Sequence, residues 1–143
     1  MNRLIKYTFL AVFIFSISVS AQTENEKKEL NTATNSLFDI CNKEDISEAA
    51  KLIAYNGLDK DRKYKSFYNI NNRKEKSAVN RTVQKIKAML KISDKYEIVK
   101  YSTDKLTPAI IDVKITFKSG NQEISSVFKF LKLDGRFVLA EIE

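Results

Sequence analysis

The sequence predicts an α+β fold, with helices in the first two thirds of the chain and an antiparallel sheet in the last third. Between residues 24 and 92 apolar side chains recur at three- and four-residue spacing, the period of an amphipathic helix. From Tyr96 onward they alternate, the two-residue period of a strand with one buried face. Punctuation agrees: of only three glycines in 143 residues, two fall in Ser119-Gly120-Asn121 and Asp134-Gly135, between alternating runs where hairpin turns belong.

The first helix is expected from about Glu24 to Asn42, because Leu30, Ala33, Leu37, Ile40 and Cys41 share one helical face. Glu24, Glu26 and Glu29 stand in its first turns, where the helix dipole favours anions. Asp45 followed by Glu48 reads as a capping box. The helix it opens carries Ile46, Ala49, Ala50, Ile53 and Ala54 and is expected to stop at Asn56-Gly57. Residues 58–72 are polar and basic, with one short strand expected over Tyr64 to Tyr68. The third helix is expected from about Arg73 to Ile92, with Val79, Val83, Ile86 and Leu90 at steps of four, three and four. Four strands follow: Tyr96 to Tyr101, a loop with Pro108, then Ile111 to Phe117, Glu123 to Leu133 and Phe137 to Ile142. In the third strand Ile124, Phe128 and Phe130 lie on one side and Val127, Leu131 and Leu133 on the other, so both sheet faces need cover. The expected architecture is three N-terminal helices packed on a curved antiparallel sheet of about four to five strands.

Residues Met1 to Ala21 combine Arg3 and Lys6, an apolar run from Phe9 to Val19, and the small-residue ending Val19-Ser20-Ala21. That is the layout of a cleavable secretory signal. The apolar run is too short for a spanning helix, which needs about twenty residues, and no Cys near the cut offers a lipid anchor. The expected organisation is a signal peptide over 1–21 and a single α+β domain over 22–143. Its address is exported, periplasmic or secreted, without a transmembrane anchor.

Composition excludes much chemistry. The chain has no His, so imidazole bases, Ser-His-Asp triads and histidine metal sites are absent. One Cys forms no internal disulfide and no thiolate zinc site. Cys41, on the apolar stripe, reads as a small buried hydrophobe. No glycine-rich phosphate loop or calcium-loop spacing occurs, so neither a cofactor nor a metal is expected.

The order helix, helix, short strand, helix and four strands resembles the nuclear transport factor two-like superfamily, the cystatin-like α+β roll. Within it the chain resembles small exported bacterial domains of unknown function. The likeness rests on element order, on Phe38-Asp39-Ile40-Cys41-Asn42-Lys43-Glu44-Asp45 leading into Glu48-Ala49-Ala50-Lys51-Leu52, and on Leu133-Asp134-Gly135-Arg136-Phe137. The family usually has a hairpin between the second and third helices, where this chain has only Tyr64 to Tyr68. The resemblance implies a cone between helices and sheet. A small apolar ligand or a protein partner there would meet Leu37, Cys41, Val83, Ile86, Val113, Ile115 and Phe128. It equally admits a homodimeric structural or accessory domain, joined through the open sheet face. An isomerase-like site, the third reading, would need an Asp base and a Tyr oxyanion donor in a dry pocket. Asp39, Asp112, Tyr96 and Tyr101 are its only candidates, and no catalytic residue is assigned. The expectation is a non-catalytic exported binding module.

Charge is uneven. Residues 22–59 hold 4 cations and 8 anions, residues 60–100 hold 13 and 4, and residues 101–143 hold 6 and 6. The basic belt, with Lys63, Lys65, Arg73, Lys74, Lys76 and Arg81 among its cations and Tyr64, Phe67 and Tyr68 between them, suits nucleic acid, anionic lipid heads or polyanionic glycans. An exported address argues against nucleic acid. A solvated helix face that maintains solubility is the simpler account, and pairing with the acidic first helix is another.

Overall fold

The structure, a computed structural model, describes residues 24–103 and 109–143. The expected signal segment and the loop containing Pro108 lie outside the described residues. Among the described residues the fold is α+β, with three helices and a four-stranded antiparallel sheet. Helix α1 spans residues 24–42, α2 Ile46–Ala50 and α3 Arg73–Lys91. The strands β1 (Lys95–Thr103), β2 (Ile110–Ser119), β3 (Gln122–Leu133) and β4 (Arg136–Ile142) pair in chain order.

Helix α1 buries Leu30, Thr34, Leu37, Phe38 and Cys41. This face is rotated from the expected one: Phe38 and Thr34 enter the core, while Ala33 and Ile40 are only half-buried. Thr34 is tolerated there because its hydroxyl donates back to the Leu30 carbonyl at 2.8 Å. The helix ends in a Schellman motif, the Asp45 N–H donating to Ile40 O at 3.3 Å and the Glu44 N–H to Cys41 O at 3.1 Å. Glu44 occupies the left-handed position at φ 57°, where glycine is usual. Its carboxylate accepts hydrogen bonds from Lys87 and Gln84 on α3, so the corner is tied to the third helix.

Asp45 caps α2, accepting from the Glu48 N–H at 3.0 Å. The helix then stops after five residues instead of running to Asn56-Gly57. Ile53 and Ala54, expected on its apolar face, are extended and run along the edge of β4. The Leu139 N–H donates to Leu52 O at 2.9 Å and the Ala54 N–H to Leu139 O at 2.8 Å. Backbone groups at a sheet edge need partners, and supplying them outweighs a helical spacing that short apolar runs share with strands. Gly57 is no helix cap: a Cβ there would lie 2.4 Å from the Tyr55 phenol oxygen, so only glycine lets that ring fold back.

The strand expected over Tyr64 to Tyr68 reduces to one bridge, Ala54 to Phe67. Residues 59–65 instead form turns, with Tyr64 at φ 61°. This segment is held by Arg62, whose guanidinium lies 4.2 Å from the Tyr55 ring centroid. It also donates to both Glu75 oxygens, at 2.9 and 3.1 Å, and to Phe67 O at 3.1 Å. Glu75 accepts the Asn69 N–H at 2.7 Å as well. These hydrogen bonds, chiefly those from Arg62, hold its carboxyl below the usual carboxylate range.

Helix α3 matches its expected span. Asn72 caps it, and Val79, Val83 and Ile86 are buried. In the sheet, the hairpin from β3 to β4 turns on Asp134 and Gly135, both at positive φ, the geometry of a type I′ turn. Helices cover the inner face, where Phe38 wedges between Tyr96, Phe117 and Phe128 at centroid distances of 4.9, 5.9 and 5.4 Å. Ile124, expected beside Phe128 and Phe130 in the core, is 52% exposed at the far end of β3. On the outer face Ala54, Ile110, Leu131, Val138 and Ala140 form a second buried cluster, closed by Tyr64 and Phe67. There the chain's own crossing segment supplies cover for the second sheet face.

Each buried phenylalanine contributes about 1.5–3 kcal/mol of transfer free energy, to which truncation adds a cavity. Phe128→Ala is expected to lower the unfolding free energy by about 3–5 kcal/mol in urea titrations. Glu75→Gln is expected to act locally, raising amide exchange about tenfold over residues 55–68 while β2 and β3 keep their protection, because Arg62 loses its charged acceptor. The Glu75 contribution is present above the ordinary carboxylate pKa and is lost as acid protonates the native carboxylate.

Candidate functional site

The seven residues expected along a cone-shaped cavity, Leu37, Cys41, Val83, Ile86, Val113, Ile115 and Phe128, do come together. All seven belong to one contiguous cluster and none is more than 1% exposed. Side chains fill the space between helices and sheet, with Phe38, Phe117 and Phe130 packed among them. The hollows described below lie at the margin of this core.

One groove runs between α1 and the hairpin of β3 and β4, with a volume of about 420 Å³. Lys28, Thr32 and Ser36 line it from α1, and their four-residue spacing places them on one helical stripe beside Ala33. Leu52, from the crossing segment, and Phe137 supply its apolar floor, and Gly135 and Arg136 form the far rim. The hairpin turn fixes this arrangement, since Asp134 and Gly135 at positive φ set the register that turns Phe137 inward and leaves Arg136 exposed. A second groove of about 490 Å³ shares the Phe137 wall and is lined by Tyr64, Ile111 and Leu131. Glu29 of the first groove and Lys132 of the second form an ion pair at 3.2 Å, and the Lys132 ammonium stands 4.8 Å from the Phe137 ring centroid. Apolar walls with charged groups at the rim are what a small molecule with an apolar body and a polar end requires.

The acid–base candidates are dispersed. Burial of the Tyr96 ring raises the phenol pKa, with a smaller contribution from Asp39, which is exposed on α1. Burial likewise raises Tyr101. The two phenols donate to Asn35 at 2.8 Å and to Asn31 at 2.5 Å, so each is committed to an amide on α1. Asp112 stands on the opposite sheet face, its Oδ1 buried without a hydrogen-bond partner. Neither carboxylate shares a groove with a tyrosine in the arrangement an enolising site needs. Among the described residues, no group of three or more Cys, Asp or Glu side chains is placed to hold a metal ion.

Lys63, Lys65, Arg73, Lys74, Lys76 and Arg81 are all exposed. They divide between the 59–65 turns and the first turns of α3, two stretches joined by the Arg62–Glu75 pair. Sequence reasoning missed the residues that shape the first groove. Ala33 reads as core and Arg136 as an ordinary strand residue, and no local pattern marks the gap between a helix and a hairpin a hundred residues away. Comparison with known protein families, with curated proteins and with solved structures finds no match for this chain. No helix among the described residues is long and apolar enough to cross a membrane.

Cys41 is fully buried, and desolvation pushes its thiol from 9.0 to about 12. The native thiol therefore keeps its proton while the unfolded one releases it above pH 9. Its contribution to stability is complete below pH 9 and is lost as pH rises toward about 12. At pH about 10.5 the loss from this group is expected to be about 2 kcal/mol relative to neutral pH. Urea titrations at the two pH values check this: Cys41→Ala is expected to show a smaller alkaline loss. Tyr64, Tyr68, Tyr96 and Tyr101, also raised chiefly by burial, weaken both proteins alike in alkali.

Proposed function

We propose that the protein is an exported, non-catalytic binding module that holds a small molecule with an apolar body in the groove between α1 and the last hairpin. The carrying observation is the contrast between a cone filled by fully buried side chains and an adjacent groove of about 420 Å³ with an apolar floor and a charged rim. That volume lies within the range of small-molecule sites. The basic, apolar and small-residue succession of residues 1–21 supports export. Helices packed over one face of an antiparallel sheet support a cystatin-like, nuclear transport factor two-like roll, a fold that hosts binding modules, dimerisation domains and enzymes alike. The commitment of the Tyr96 and Tyr101 phenols to Asn35 and Asn31, with Asp112 on the opposite sheet face, favours binding over isomerisation.

The homodimer reading gains support from a different region. Ile92 and Ile124, 57% and 52% exposed, flank a small hollow floored by Phe117, an apolar spot that a second copy would cover.

Native mass spectrometry of the chain secreted by a bacterial host tests both readings. The expected result is a monomer carrying a reproducible adduct on the order of 300 Da, as a groove of this size accommodates. The adduct is expected to vanish from an Ala33→Leu/Ser36→Phe variant that fills the groove from the α1 side while its unfolding midpoint shows that the fold is kept. A bare chain that also fails to enhance the fluorescence of an apolar dye would sink the groove reading, and a bare dimer would favour the second.

A further inference from the structure

Leu58 is 99% exposed, the most exposed large apolar side chain among the described residues. It stands at the apex of a loop whose backbone is firmly held. The Asp59 N–H donates to the Tyr55 phenol oxygen at 3.4 Å, the Asp61 N–H to the Asp59 carboxylate at 3.0 Å, and the Arg62 and Lys63 N–H groups to Asp59 O at 3.2 and 2.9 Å. Arg62 then ties the loop to Glu75. The backbone that follows Leu58 is thus fixed, and the leucine side chain stands in solvent.

The surroundings are cationic. Residues 58–76 hold seven cations, Lys60, Arg62, Lys63, Lys65, Arg73, Lys74 and Lys76, against three anions, Asp59, Asp61 and Glu75. Glu75 is neutralised by Arg62, and the Asp59 carboxylate is turned to the Asp61 N–H. Lys60, Lys63 and Lys65 are exposed within seven residues of Leu58, and the Arg62–Glu75 pair brings Arg73, Lys74 and Lys76 to the same end of the molecule. The groove between α1 and the last hairpin takes no residue from this loop, which presents a projecting leucine with the exposed Lys60, Lys63 and Lys65 close by in sequence, while Tyr64 turns to the second groove.

We infer that the 57–65 loop and the first turn of α3 form a docking surface for an anionic lipid bilayer, with Leu58 entering the acyl boundary and the flanking lysines meeting lipid phosphates. A lone aliphatic side chain gains little against a flat protein surface. In a bilayer it is buried whatever its orientation, and every surrounding cation finds an anion. This surface is separate from the groove and does not rest on the groove reading.

The test uses the chain secreted by a bacterial host, its N-terminus fixed by mass spectrometry, sedimented with vesicles. Vesicles of phosphatidylglycerol and phosphatidylcholine in equal parts are compared with phosphatidylcholine alone. The expected result is at least a tenfold preference for the anionic vesicles. Each lysine near such a surface multiplies partitioning by about fivefold, so Lys60→Gln/Lys63→Gln/Lys65→Gln is expected to lose about a hundredfold. Leu58→Ser is expected to lose about tenfold with an unchanged unfolding midpoint. The Ala33→Leu/Ser36→Phe variant is expected to bind vesicles normally, which separates this outcome from the fate of the groove. No binding to anionic vesicles, equal binding to neutral ones, or binding that survives in both loop variants overturns the proposal. Full binding by Leu58→Ser with loss in the lysine variant also overturns it, since that is the behaviour of a polyanion patch without insertion.

Discussion

Four consecutive residues of β4, Phe137, Val138, Leu139 and Ala140, are buried, and that constraint shapes the rest of the molecule. Side chains alternate across a strand, so such a run needs an apolar cover on both faces of the sheet. Phe137 and Leu139 meet the helical layer, while Val138 and Ala140 meet the outer cluster. A chain that has just laid two helices on one face must therefore reach the other. It passes alongside β4 at Leu52 to Ala54 and satisfies that edge with backbone hydrogen bonds on the way. The brevity of α2 follows from the crossing, as does the folded-back Tyr55 over Gly57. The Arg62–Glu75 clamp holds down what has crossed. The opposite edge, β1, has no further strand among the described residues and carries its own protection: exposed Lys95 and Lys100, with a bulge at Val99 that interrupts the register.

Legibility in the sequence divides along the same line. Helix α3, the alternation of β2 and the Asp134-Gly135 turn were all readable, because each depends on residues a few positions apart. The capped corner at Asp45 was readable for the same reason. The crossing was not, since Ile53 and Ala54 fit a helical face as well as an extended one, and only the unpaired edge of β4 decides between them. Phe38 was passed over for Ile40 because both lie within one residue of the same stripe, and the choice depends on the aromatic hollow formed by Tyr96, Phe117 and Phe128. Arg62 and Glu75 sit 13 residues apart in a stretch whose composition advertises only charge. At the site the outcome was mixed. Seven residues were expected to converge and do converge, yet as packed core, since hydrophobicity alone does not distinguish a wall from a filling.

The charge asymmetry is largely unspent inside the fold. Lys87 reaches Glu44, Lys85 reaches the Ile142 carbonyl, Arg62 reaches Glu75 and Lys63 lies over the Tyr64 ring, so these members of the basic belt serve structure. Arg73, Lys74 and Lys76 crowd the first turn of α3, where the helix dipole disfavours cations. Asn72 and Glu75 offset that cost, the first through its capping carbonyl at 2.9 Å from the Lys74 nitrogen, the second through its charge. A helix built only for stability would place its acids there. Cations at the unfavourable end, beside a loop that holds out an unburied leucine, are the arrangement on which the proposed bilayer surface rests.

The two proposed surfaces also follow from a single division of labour. A close-packed interior leaves no room for a ligand, and enlarging it by truncating Phe128 or a neighbour would cost several kcal/mol of a stability that is itself small. Binding is therefore confined to places where elements meet imperfectly or where the chain turns. The groove lies between α1 and the last hairpin, and the Leu58 loop follows the crossing segment. Both are produced by the need to cover β4 twice. Changes on the exposed stripe of α1 at Thr32 and Ser36, or on the loop at Leu58, Lys60 and Lys63, alter these surfaces without touching the packing that makes them, so either proposed surface can change while the fold stays fixed.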